Sequence, residues 1–220
     1  MTGKEKEALR LRASLIMERL AEAIPEPRSE LNYNSPFQLL AAVLLSAQTT
    51  DRRVNEVTPA LFAAAPDPES MAALGPEGIY QHIRSLGLAG GKSRNLAAAA
   101  LQICRRFGGR VPDTFEDLTS LPGVGGKTAR VVLNVGFGRP EIAVDTHILR
   151  VSRRLGLTVS SLPDQVSRDL AGLIPEQHLL NAHHYLLLHG RHTCRARSPL
   201  CQHCCMQDLC TSPDRKFTEA

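Results

Sequence analysis

The segment NSPFQLLAAVLLSAQ, residues 34–48, limits the folds open to this chain more than any other stretch. Ser35 is placed as an N-cap and Pro36 at the first helical position. The apolar run that follows is too continuous for a helix with one wet face. Such a helix has to be central, and the flanking sequence supplies elements to surround it. KEALRLRASLIMERLAEAI sets Leu9, Ile16, Leu20 and Ile24 near one face of a helix that Pro25 and Pro27 stop. TTDRRVNEVTPALFAAA, DPESMAAL, PEGIYQHIRSLGL and KSRNLAAAALQICRRFGG each open on a capping or proline signal, and several close on glycine. GKTARVVLNVGFG, VDTHILRVSRRLGL, LPDQVSRDLAGLI and PEQHLLNAHHYLLLHG continue the pattern. No segment alternates with period two for long enough to form a convincing strand. The predicted class is all-α. At 220 residues the chain has room for one large or two small domains, and only the polar tail TSPDRKFTEA reads as disordered.

The stretch LPGVGGKTARVVLN, residues 121–134, contains G-G-K-T and so raises the question of a nucleotide-binding loop. The phosphate-binding spacing G-x-x-x-x-G-K-[ST] fails because Leu121 stands where the first glycine is needed. The dinucleotide spacing G-x-G-x-x-G fails at Thr128. What precedes is PDTFEDLTS, where Asp113 or Thr114 can cap a short helix with acids in its first turn. Helix, glycine-rich turn, helix is the better local reading.

Charge points toward a polyanionic partner without proving one. Lys and Arg number 26 against 22 acids, a formal net charge of +4. From Leu118 to Pro140 there is no acid, and from Gln177 to Gln207 none again, although the latter stretch holds six of the eight histidines. The first two dozen residues lack the apolar core of a secretion signal, and no run approaches the roughly 18 apolar residues of a membrane span. The expectation is a soluble, cytoplasmic protein, nucleoid-associated in a bacterium, with no membrane partner.

In that compartment six cysteines are better explained as ligands or nucleophiles than as disulfides. Cys194, Cys201, Cys204 and Cys210 have the spacing C-x6-C-x2-C-x5-C. Four thiolates so close suit zinc or a [4Fe-4S] cluster, and spacing alone does not choose between them. Cys205 complicates the count as a substitute for Cys204, and His192 or His203 could serve a zinc site. Cys104, in an apolar helix, reads as a small buried hydrophobe.

The hairpin LPGVGGKTA, the following VDTH and the cysteine spacing together resemble the endonuclease III family of helix-hairpin-helix DNA glycosylases. SPFQLLAAVLLSAQTTD, HGRHTC and CQHCCMQDLC extend the resemblance from about Leu31 to Cys210. It implies an all-α fold of two helical domains flanking a DNA-binding cleft: a six-helix barrel domain with the helix-hairpin-helix, residues 29–139, and a discontinuous iron-sulfur cluster domain, residues 1–28 and 140–220. It implies a [4Fe-4S] cluster on Cys194, Cys201, Cys204 and Cys210, and a monomer acting on double-stranded DNA with oxidised pyrimidines or abasic sites.

The resemblance also assigns roles. Pro122, Gly123, Val124, Gly125 and Gly126 would hold a DNA phosphate on exposed backbone N–H groups. Lys127, just inside the next helix, would attack C1′ of a deoxyribose, expel the damaged base as a Schiff base forms, and permit β-elimination. Read from the residue alone, this lysine is a phosphate contact. Asp145 is placed as an N-cap, and the resemblance makes it the essential carboxylate that stabilises charge on the opening sugar. His147 either lines the active site or packs. Gln48 would fill the gap left by an extruded base and Leu88 would wedge the stack. Ala89, Gly90 and Gly91 depart from the larger residues usual after that leucine, so a loose loop is expected there. Arg195 and Arg197 would face phosphates.

The leading expectation is therefore a bifunctional glycosylase and abasic-site lyase of base excision repair. A monofunctional, adenine-type glycosylase is the nearest rival. A non-catalytic DNA-binding module with a zinc knot is the third reading.

Overall fold

The computed structural model describes residues Thr2 to Arg215, and the chain separates into two compact units, Ser29–Arg139 and Met1–Arg28 with Pro140–Ala220. Among the described residues every regular element is helical. The last part of the tail TSPDRKFTEA, residues 216–220, lies outside the described residues; within the part described, Ser212 is buried and its hydroxyl accepts from the Asp214 N–H at 3.2 Å.

The unit Ser29–Arg139 is built around α2 (Pro36–Leu45), in which every residue from Phe37 to Leu45 is buried. Ser35 starts it as expected, its hydroxyl accepting from the Gln38 N–H at 3.2 Å. Around it stand α3 (Asp51–Ala64), α4 (Pro68–Ile83), α5 (Ala89–Phe107), α6 (Phe115–Thr119) and α7 (Gly126–Val131). Thr50, Asp67 and Thr114 cap α3, α4 and α6, each contributing about 1 kcal/mol by satisfying an orphan backbone donor. The two segments expected over 67–88 meet in α4, which breaks at Gly75 (φ 68°) and so keeps both pieces. The core joins Leu39, Leu40 and Leu45 of α2 to Leu61, Met71, Ile79, Leu96 and Ile103, all fully buried. Truncating any of these large side chains to alanine costs about 2–5 kcal/mol.

Two details differ from the sequence reading. Helix α5 begins at Ala89 rather than Lys92, because the Leu88 carbonyl accepts from both the Gly91 and Lys92 N–H groups at 3.0 Å. Ala89 to Gly91 are therefore its first turn, not a loose loop. After α7 the chain winds into a π-helical turn, Val132–Gly136, where a single α-helix was expected. The Asn134 side chain donates to the Arg139 carbonyl at 3.3 Å and fixes the exit.

The other unit contains α1 (Gly3–Ala23), α8 (Thr146–Arg154), α9 (Pro163–Leu173) and α10 (Glu176–His192), then a 3₁₀ turn, Cys201–His203. Ile16, Met17 and Leu20 of α1 pack with Ile148, Val151, Val166, Leu170 and Leu186. The periodicity at Ile16 and Leu20 predicts this face. Arg12 ties α1 to the far end of the chain by donating to the carbonyls of Leu155 and Leu209 at 2.6 and 2.5 Å.

Helix α10 does not end at Gly190 as expected but runs past it, because α8 lies against that residue. A Cβ on Gly190 would stand 2.9 Å from His147 Cβ and 3.1 Å from Val151 Cγ2. Gly190→Ala should therefore force α8 and α10 apart and lower stability by about 1–3 kcal/mol, the usual penalty of overpacking. Urea denaturation at fixed m-value checks this; an unchanged midpoint would show that α8 is free to shift.

Candidate active site

The hairpin joins α6 to α7. The Val124 N–H donates to the Leu121 carbonyl at 3.1 Å, closing the turn. Gly123 sits at φ 78°, and a Cβ there would meet the Asn95 side chain at 2.8 Å, so both backbone and space require glycine. Gly125 occupies the N-cap position with no side-chain cap, which leaves the first N–H groups of α7 free for an acceptor from outside. Arg130 stacks on the Phe115 ring at 4.8 Å and braces α7 against α6. Lys127, in the first turn of α7, is exposed, and its side chain takes no hydrogen-bond or ion-pair partner among the described residues.

Gln48 and Leu88 share a property that sequence did not reveal. They are the two non-glycine residues with positive φ among the described residues, 54° and 60°. Left-handed backbone costs about 1–2 kcal/mol for such residues and persists only where neighbours enforce it. Both side chains are exposed, Leu88 to 65% despite being a large hydrophobe. The hairpin, Lys127, Gln48 and Leu88 all belong to Ser29–Arg139.

Asp145 and His147 belong to the other unit. Asp145 caps α8: its Oδ1 accepts from the N–H groups of His147 and Ile148 at 2.9 and 2.8 Å. Both bonds fall on one oxygen, and Oδ2 takes no protein hydrogen bond among the described residues. The His147 ring is half-buried, with Nδ1 3.3 Å from Arg150 Nη2.

Cys194, Cys201, Cys204 and Cys210 line one cavity, with Arg154, His189 and Leu200 also on its wall. Cys205 does not line it; its carbonyl instead accepts from Arg19 Nη1 at 3.0 Å. His192 and His203 do not line it either. No three His, Cys, Asp or Glu side chains among the described residues are grouped as a single metal ion requires. Four cysteine thiols on one cavity wall are a donor set of the kind that zinc or an iron-sulfur cluster takes. The sulfurs already have donors aimed at them: the Met206 N–H at 3.4 Å from Cys204 Sγ, and Arg154 Nη1 at 3.5 Å from Cys194 Sγ. Burial pushes the Cys204 thiol up to about 11 and the neighbouring His189 imidazole down to about 4, so both are neutral without a cation in the cavity.

The chain matches the model of the HhH-GPD superfamily base excision DNA repair protein over residues 41–176. It is 50% identical to endonuclease III of Treponema pallidum and 46% identical to that of Escherichia coli K12, each over 89% of this chain and 92% of the relative. The chain belongs to the endonuclease III family. Among solved structures it superposes on a trapped endonuclease III–DNA covalent intermediate and on a non-covalent endonuclease III–DNA complex. Each match has a TM-score of 0.86 and 39% identity, and covers 96% of both chains. A thermostable thymine-DNA glycosylase shares the fold at TM-score 0.80 and 22% identity. This endonuclease III family member is thus a DNA-binding glycosylase of base excision repair. No helix among its described residues is long and apolar enough to cross a membrane.

Several residues of this family member were not singled out from sequence. Arg150 and Arg154, one turn apart on α8, hold the cysteine loop. Arg150 donates to the Cys194 and Gly190 carbonyls at 3.0 and 2.9 Å, and Arg154 to the Arg195 carbonyl at 2.8 Å. Their i, i+4 spacing in THILRVSRR was the available signal. Arg195 and Arg197 remain exposed on that loop.

Proposed function

We propose that this protein is a bifunctional DNA glycosylase and abasic-site lyase acting on oxidised pyrimidines in duplex DNA. The observation that carries the reading is Lys127: an exposed amine without a hydrogen-bond or ion-pair partner among the described residues, one residue inside a glycine-led helix of the hairpin, in a chain of the endonuclease III family. A lysine held for structure would have a carboxylate or carbonyl partner. The free backbone donors at the start of α7 suit a phosphate, which would fix the strand without reading sequence.

In the proposed reaction the Lys127 amine bonds to C1′ of the damaged nucleotide. The glycosidic bond breaks, and its electron pair and a proton leave with the base. The C1′–O4′ bond then breaks, O4′ taking its electron pair and the second amine proton, to give the Schiff base, which acidifies the proton on C2′. Its removal expels the 3′ phosphate by β-elimination. The Asp145 carboxylate, with Oδ2 uncommitted, stabilises positive charge on the opening sugar. His147 lines the site, steadied by Arg150. Gln48 and Leu88 enter the stack to hold the nucleotide extruded, while Arg195 and Arg197 meet phosphates. The same reading makes residues 29–139 the helix-hairpin-helix barrel domain and residues 1–28 with 140–220 the cluster domain of a monomer.

Cys194, Cys201, Cys204 and Cys210 would hold a [4Fe-4S] cluster, a reading supported by the shared cavity and the N–H groups aimed at its sulfurs. Held by those four thiols, it would supply a structural cross-link for the loop bearing Arg195 and Arg197. The purified protein should absorb broadly near 400 nm. Cys204→Ser should bleach that band and weaken DNA binding; a colourless, zinc-loaded protein would overturn the assignment.

The function itself is tested with duplex DNA carrying one thymine glycol. Release of the base together with a nick 3′ to the lesion supports the bifunctional reading. Release without a nick would give it to the monofunctional alternative, and no release to the binding module.

A further inference from the structure

Lys92 is a buried cation for which the proposed reaction has no direct use. It is 5% exposed, which keeps it from any phosphate, and it lies in the first turn of α5, where the helix dipole is unfavourable to positive charge. Burial lowers its pKa. Of its three donors one is used among the described residues: Nζ donates to Thr49 Oγ1 at 2.6 Å. For stability alone an apolar side chain of similar length would serve as well or better. Breaches of this kind mark positions kept for another purpose.

The location of the bond indicates what that purpose is. Thr49 adjoins Gln48, and its hydroxyl also lies 3.4 Å from the Ala47 carbonyl, so the contacts of Thr49 bracket Gln48. At the other end, the Lys92 N–H donates to the Leu88 carbonyl. Lys92 thus joins the turn that holds Gln48 at φ 54° through its side chain, and the helix start that holds Leu88 at φ 60° through its backbone N–H. A second, longer contact, from Arg53 Nη2 to the Ser85 carbonyl at 3.5 Å, runs from the start of α3 to the segment just before Leu88, but it does not reach Thr49.

We infer that Lys92 is a positioning residue that, through Thr49, sets the spacing of the Gln48 and Leu88 turns so that both side chains enter the base stack together. The inference rests on the proposed role of those two residues in extrusion. It concerns this chain's own pairing of a buried lysine with a threonine hydroxyl, and it makes base extrusion sensitive to a bond that touches no DNA.

The test uses the full chain and duplex DNA with one thymine glycol beside a 2-aminopurine, whose fluorescence rises on unstacking. Lys92→Met should leave the melting temperature unchanged or higher, yet slow both the fluorescence rise and base release by about tenfold. Thr49→Val should slow them equally, Thr49→Ser should restore the parent rates, and the double variant should be no slower than either single one. A simple loss of packing would instead lower the melting temperature with no rescue by serine. Parent rates in Lys92→Met, with Leu88→Ala slow, would overturn the strut and leave the roles of Gln48 and Leu88 standing. Parent rates in Leu88→Ala and Gln48→Ala would overturn those roles, and the strut with them.

Discussion

Lys127→Ala abolishes strand nicking, by roughly 10³-fold or more, while the protein folds and binds abasic-site DNA almost as the parent does. The size of the effect follows from the role proposed for the amine: without it no Schiff base forms, and no other group in the hairpin can replace it. The selectivity follows from its surroundings. Lys127 is exposed and unpartnered, so alanine removes no internal contact, and stability should move by less than about 0.5 kcal/mol. Affinity falls by no more than one phosphate contact among many would contribute, less than about tenfold at moderate salt. Gel assay of nicking beside fluorescence anisotropy of binding separates the two. Nicking retained at the parent rate would remove Lys127 from the mechanism.

Asp145→Asn should slow base release by about 10²-fold or more with little loss of stability. The separation is possible because the cap and the proposed stabilising charge lie on different oxygens of Asp145. Oδ1 caps α8 by accepting from the N–H groups of His147 and Ile148, and the asparagine carbonyl can accept the same pair. The charge available at Oδ2 is what asparagine lacks. Asp145→Ala would lose cap and charge together and should cost about 1 kcal/mol of stability besides. Single-turnover release of thymine glycol and thermal melting, measured on both variants, test the division. An Asp145→Asn protein that releases base at the parent rate, or that unfolds, would contradict it.

How much of this was legible before the structure depends on the range of the interaction concerned. The buried character of α2 follows from its unbroken apolar run, and the caps at Ser35, Thr114 and Asp145 follow from residue type and position, because both effects act within one turn. The failed nucleotide spacings and the glycine at 123 likewise placed the hairpin correctly. The start of α5 was misjudged because Gly90 and Gly91 have poor helix propensity, whereas the Leu88 carbonyl and the packing of Ala89 overrule it. Gly190 reads as a helix stop, yet it serves close approach by α8, a neighbour about 40 residues away in sequence. The Lys92–Thr49 bond, the reach of Arg150 and Arg154 to the cysteine loop, and His189 on the cavity wall depend on similar long-range neighbours. Such partners leave no periodic trace, and only the fold brings them into view. The four cysteines were found by spacing, and the fold brings them to one cavity wall.

The most direct measurement of the central claim is borohydride reduction of the protein mixed with duplex DNA carrying one abasic site, followed by proteolysis and mass spectrometry of the cross-linked peptide. A stable adduct whose deoxyribose remnant lies on Lys127 is expected. An adduct on any other amine, or none while the strand is still nicked, would contradict it.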